Sequence, residues 1–382
     1  MALAAGYSSF CKYGFQSFTP TAVGKLTGTS MSSINDLGVE SLGVRARVSN
    51  AGWIHSPLFD FFLLIAAPLA TLPVFVGIYL RIPVLAIGGV LGLAFLHYAS
   101  TFSFFFWNEN RPYYRSRWLA FFGGPTLLAV VYWILIGLQI PYIVQVVLFV
   151  WNTWHVSRQN CGILSLYRSR AGATDQVQKN AANNAIIAVS FFLAFWNINT
   201  HEEMMGFFGW FSKDLFWIVK IPLGIVAAYY LGRLGVALYR RNTVVGLPEG
   251  LFLAASLGFF YPYLFIKDSG YATMAMLLPH YVQYLTLVWL LHRRKFGGAS
   301  EGAPRPLLKL SSKLHILIPA CLAFAAFIYL LRDVTVSSGH ESYFEMIYLF
   351  VALQHFYFDG LIWSFRQQHV RKTMLPFLVG RP

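Results

Sequence analysis

From Trp53 onward, apolar runs of about 20 residues alternate with short polar breaks, and a helix needs about 20 such residues to cross a bilayer. The runs fall near 57–80, 83–107, 118–138, 141–165, 183–200, 215–238, 248–266, 270–292, 314–331 and 343–365. This pattern predicts an all-α polytopic bundle of about ten spans over residues 53–374. A mobile N-terminal tail is expected over 1–52 and a short C-terminal tail over 375–382. Composition agrees: 57% of the residues are hydrophobic and only 12% charged, half the roughly 25% of an ordinary soluble domain. Three cysteines, none in a Cys-x-x-Cys pair, exclude a disulfide scaffold.

Charge orients the bundle. With the N-terminus in the cytoplasm, 24 of the 29 Lys and Arg residues fall in inside segments and 5 outside. Lys and Arg concentrate in cytoplasmic loops, so both termini and the linker Gly297–Ser312 are expected inside. The net charge of +14 is thereby explained without nucleic acid.

Ten histidines are present. His55, His201, His292, His315, His340 and His369 fall at span ends or in loops and read as interfacial. His97, His155, His280 and His355 lie inside apolar runs, on segments expected to cross from outside to inside. Counting to the first Arg beyond the cytoplasmic end of each run (Arg111, Arg168, Arg293 and Arg366) gives 14, 13, 13 and 11 residues. At about 1.5 Å per residue, these depths agree to within one helical turn.

Ionisable groups at mid-bilayer are expensive and face the bundle interior. A polar group follows each histidine at i+3 or i+4, on the same helix face: Ser100 and Thr101, Arg158 and Gln159, Gln283 and Tyr284, and Asp359. Asn152 stands one turn above His155, and Asp60 near the start of the first span reads as interfacial. The pattern predicts a metal held by four imidazoles, with outer groups fixing their tautomers. Asp359 is expected to ligate or orient, and Arg158 and Gln159 to orient ligands or bind an anion. Unpaired charges in lipid being costly, Arg158 and Asp359 are expected to pair. The plain alternative is four separate buried histidines, each bonded to a neighbouring helix.

Absent motifs narrow the chemistry. There is no His-Glu-x-x-His, closely spaced histidine box, Gly-x-Ser-x-Gly elbow, haem-attachment Cys-x-x-Cys-His or nucleotide-binding Gly-rich loop. Trp154-His155-Val156-Ser157-Arg158-Gln159-Asn160-Cys161-Gly162 and His355-Phe356-Tyr357-Phe358-Asp359-Gly360-Leu361-Ile362-Trp363 resemble signatures of a group of His-rich bacterial polytopic proteins. The arrangement also resembles the Brp/Blh membrane carotene dioxygenases, which set single histidines on several helices around a non-haem iron. That family has a late His-x-x-x-Asp like His355 and Asp359, but this chain lacks its His-x-x-x-His element and is longer.

The resemblance implies a multi-pass protein of a bacterial inner membrane. It implies an oxygen-dependent iron enzyme acting on a lipophilic substrate such as a lipid, isoprenoid or carotenoid. Phe104, Phe105, Phe106, Phe356 and Phe358 would wall such a chain. Zinc, copper or haem are the alternative cofactors. A proton-coupled transporter and a haem-binding electron carrier are the rival functions, and the sequence leaves the oligomeric state open.

Overall fold

The computed structural model describes residues 52–80, 89–138, 140–196, 215–240, 245–297, 313–339 and 341–379. The tail expected over 1–52 falls almost wholly outside the described residues, as do 298–312 of the linker, His201 and His340. Among the described residues every regular element is helical. The α-helices are α1 (Pro57–Asp60), α2 (Leu72–Tyr79), α3 (Gly89–Phe102), α4 (Asn110–Ser116), α5 (Gly124–Gly137), α6 (Pro141–Arg170) and α7 (Gln176–Ala194). They continue with α8 (Leu215–Tyr239), α9 (Leu247–Leu257), α10 (Pro262–Phe265), α11 (Ser269–Phe296), α12 (Leu314–Ser337), α13 (Glu341–Ile362) and α14 (Gln368–Val379).

Local chemistry sets several starts. Ser56 caps α1 and Pro57 opens it, a position where the missing N–H leaves nothing unpaired. Asp175 accepts from the backbone N–H of Val177 and Gln178 at the start of α7. Asp268 does the same for Tyr271 at the start of α11. The Asp175 cap begins α7 seven residues before the run expected at 183–200.

Two expected spans are broken. After α1 the chain makes a π turn (Phe61–Ile65) and a 3-10 turn (Ala67–Thr71), and the two halves are bent by 48°. Pro68 supplies a physical cause, since a proline lacks the N–H and crowds the preceding turn. The run 248–266 is likewise not one helix, because turns at Gly258–Tyr261 separate α9 from α10. Among the described residues three helices are long and apolar enough to cross a membrane: Leu119–Gly137, Trp217–Tyr239 and Gly270–Phe296. The third is central, with 83% of its apolar window buried against 11% for the other two.

That central helix, α11, packs on α3, while α13 packs on α3, α5 and α6. The four histidine-bearing helices are thus direct neighbours. At the other end of the bundle, side chains from α6 and α11 close the C-terminus of α14. Arg294 donates to the carbonyls of Phe377 (2.9 Å), Leu378 (2.8 Å) and Ile54 (2.6 Å). Arg170 donates to those of Trp53 (3.0 Å) and Val379 (2.5 Å). The last carbonyls of a helix need such partners, and cations there also suit the helix dipole. Residues 375–379, expected in a tail, are therefore helical, and Leu378 is fully buried. Asp60 is also buried rather than interfacial, accepting from the N–H of Ile54 (2.5 Å) and His55 (3.0 Å).

A buried ion pair ties α6, α7 and α9 together. Arg168 donates to Glu249 Oε1 (2.7 Å), Gln178 Oε1 (2.9 Å) and the Asp175 carbonyl (2.8 Å). Removing one buried partner strands the other charge, so Glu249→Ala is expected to lose about 3–5 kcal/mol of stability. Thermal unfolding in detergent checks this. The double change Arg168→Met with Glu249→Leu is expected to cost less than the two single losses combined.

Candidate metal centre

His97 stands on α3, His155 on α6, His280 on α11 and His355 on α13. One ring nitrogen from each lies within 4.8 Å of the others. The rings form a closed circuit, with centroids 4.7 Å apart for His97–His280, 5.0 Å for His280–His155, 5.3 Å for His155–His355 and 4.2 Å for His355–His97. His97, His280 and His355 are fully buried; the His155 side chain keeps 11% exposure.

The facing nitrogens of His97 and His280 fit a metal better than one another. His97 Nε2 and His280 Nε2 face each other at 3.2 Å, and two imidazoles can share one proton at most across that gap. Nitrogens each about 2.0–2.1 Å from a common ion lie about 3–4 Å apart. His155 Nε2 and His355 Nε2 are buried without a hydrogen-bond partner, as are the Nδ1 atoms of His97 and His280. Stranded buried polar atoms are destabilising, and an ion at the centre of the circuit would relieve those facing it. All four donors are imidazoles, a set suited to zinc, copper, iron or nickel.

Outer contacts decide which nitrogen of His355 faces inward. Thr101 Oγ1 lies 2.9 Å from His355 Nδ1 and 3.0 Å from Asp359 Oδ1. Thr101 has one hydroxyl proton and gives it to the carboxylate. It then accepts from Nδ1–H, which leaves the Nε2 lone pair of His355 aimed at the circuit. Tyr284 also donates to Asp359 Oδ1 (2.8 Å) and accepts from Trp363 Nε1 (3.0 Å). The second carboxylate oxygen, Oδ2, lies 3.6 Å from His355 Nε2 and 3.8 Å from His155 Nε2. Asp359 therefore faces the imidazoles while its other oxygen is held by two hydroxyls.

The remaining polar followers behave differently. Gln159 reaches the His280 carbonyl (3.3 Å) and Gln283 Oε1 (3.4 Å), while Gln283 donates to the Leu64 carbonyl (2.7 Å). These two join α6, α11 and the π turn without touching a ring nitrogen. Ser100 turns back to the His97 carbonyl (2.7 Å). Asn152 is buried beside the site with its Oδ1 unpartnered.

The expected pairing of Arg158 with Asp359 is not formed. The Arg158 side chain is exposed, with its guanidinium carbon 5.8 Å from the centre of the Trp154 ring. Three residues of helix leave Arg158 about 60° around α6 from His155, on the outer face, while the Thr101 and Tyr284 hydroxyls hold Oδ1 of the carboxylate and its Oδ2 faces the imidazoles. His292 corrects another expectation. It is buried rather than interfacial, 3.3 Å from Ser103 Oγ and packed by Phe104, Trp107 and Phe296. His55 and His315 are exposed, and His369 stacks on Tyr113.

Of the phenylalanines expected to wall the site, Phe356 packs on His155 at 4.8 Å. Phe104 instead packs on Trp107 and Trp363, and Phe105 on Tyr114 and Phe358. Tyr98 and Tyr281 take the walling role, beside His355 (4.9 Å) and His97 (5.0 Å). The sequence signal was their position next to a buried histidine. No family model, curated protein or solved structure matches this chain.

Proposed function

We propose that this chain is an integral membrane metal enzyme that binds non-haem iron and oxidises a lipophilic substrate. The observation that carries the reading is the convergence of four imidazoles from four helices within 4.8 Å. His97, His155, His280 and His355 would hold the metal, with Asp359 as a further ligand or an orienting carboxylate. Iron bound there would supply one-electron and O₂ chemistry, which no side chain provides. The likeness to the Brp/Blh family supports iron over zinc or copper. Thr101 fixes the His355 tautomer, Tyr284 holds the carboxylate, and Phe356, Tyr98 and Tyr281 keep water from the imidazoles. A haem clamped by two of these histidines needs a flat slot, which the other two imidazoles fill.

Metal analysis and a visible spectrum on the purified full chain test this reading. About one iron per chain is expected, without a haem Soret band. A Soret band supports the electron carrier instead. A metal-free protein with an intact fold supports a proton-relaying transporter or four merely structural histidines.

The topology in this proposal has about ten spans in a bacterial inner membrane, with both termini in the cytoplasm. Its support is the charge asymmetry together with three helices of spanning length and apolarity. A cysteine placed at Ala303 is expected to resist a membrane-impermeant thiol reagent in intact cells and to react once the cells are opened. Labelling in intact cells contradicts this topology.

A further inference from the structure

We infer that Arg158 is the anchor for the carboxylate of a long-chain acid that reaches the imidazole circuit between α6 and α13. The inference rests on the membrane metal-enzyme reading and specifies its substrate class.

Three observations converge on this flank. His155 is the one imidazole of the circuit with measurable exposure, 11% of its side chain. Arg158 lies three residues on, close enough on the helix surface to be its neighbour. Helix side chains lean toward the N-terminus, and Arg158 follows this rule, lying back against the Trp154 ring rather than reaching along α6 toward Arg170. Among the described residues no carboxylate pairs with its guanidinium, and Asp359 is turned to Thr101 and Tyr284 through its Oδ1. A guanidinium at bilayer depth without an anion is strongly unfavourable. A substrate carboxylate matches its planar fork in two parallel hydrogen bonds.

The same flank has room for a chain. Gly162 lies two turns from His155 and Gly360 one turn from Phe356, and both are exposed. A Cβ built on either glycine would meet no atom within 4 Å. The half-exposed Trp154 provides apolar surface next to the guanidinium. Charge, space and the slightly exposed edge of His155 thus favour an amphiphile whose acid group sits on Arg158 and whose chain lies along Trp154. A small acid would use the cation but not the apolar flank.

The test uses cis-parinaric acid, a fluorescent long-chain polyene acid, titrated against the full chain in detergent with tryptophan excitation. Wild type is expected to bind the acid at least about tenfold more tightly than its methyl ester, a difference of about 1.4 kcal/mol. Arg158→Met is expected to erase that preference, and Gly162→Leu to weaken both ligands. Equal binding of acid and ester by wild type, or an unchanged preference in Arg158→Met, overturns the inference. Displacement by acetate at matching concentration also overturns it, because the site would then select small acids.

Metal content, measured on the same samples, separates the two claims. Arg158→Met is expected to keep the wild-type content. Wild type that prefers the acid but lacks metal would contradict the metal-enzyme reading and leave the carboxylate site standing. Wild type with metal and no preference would overturn the carboxylate site alone.

Discussion

Replacing any one of His97, His155, His280 or His355 with Ala is expected to lower metal affinity by more than about 100-fold. Losing an outer-shell partner alone typically costs about 10–100-fold, and these side chains are the proposed ligands themselves. The four imidazoles come from α3, α6, α11 and α13, so no local segment can supply a replacement. Each change also removes a buried ring from a packed circuit. Alanine variants are therefore expected to lose stability as well, and folding must be followed alongside metal content. Exposed His315 is the natural control, and His315→Ala is expected to keep full metal content. Equal metal loss in His315→Ala and in the four site variants would mean that the ion binds adventitiously.

The Asp359 variants should separate orientation from packing. Asp359→Asn keeps an oxygen that can accept from Tyr284 and Thr101 but removes the charge facing His155 and His355. It is expected to fold and to bind metal about 10–100-fold more weakly. Asp359→Leu also removes the shared acceptor of two buried hydroxyls, which keep only each other, His355 and Trp363 as partners, and is expected to lower the melting temperature. Adding Arg158→Met to Asp359→Asn is expected to cause no further loss of metal, because the two side chains do not interact. Coupling between them would revive the ion pair that the sequence alone favours.

The contrast between these two residues shows what could be read from sequence. Counting residues from each histidine to the first arginine past the cytoplasmic end of its run gives height along a helix, and height brought four distant imidazoles into one slab. It does not give direction around the helix. Arg158 and His155 differ by about 60° on α6, enough to put one on the outer face and the other on the circuit. The partners of Asp359 were present in the sequence as Thr101 and Tyr284, each four residues after a site histidine. Charge matching pointed to the arginine; the hydroxyls meet the carboxylate because α3 and α11 pack closely there.

His292 was obscured for a related reason. The basic run Arg293-Arg294-Lys295 marks a water-facing end. Yet Arg294 is spent on the α14 carbonyls and Lys295 pairs with Glu109, so packing extends past the apolar run. The broken helices after α1 and after α9 were equally hidden, because hydropathy registers apolar length and not backbone continuity.

X-ray absorption at the metal edge of the purified full chain tests the central claim most directly. The expected result is about one iron per chain, with nitrogen and oxygen neighbours only and the multiple-scattering signature of several imidazoles. That signature is expected to weaken in a His97→Gln variant that still binds some metal. A chain that purifies folded but without metal, or a metal surrounded by sulfur or a porphyrin, would contradict it.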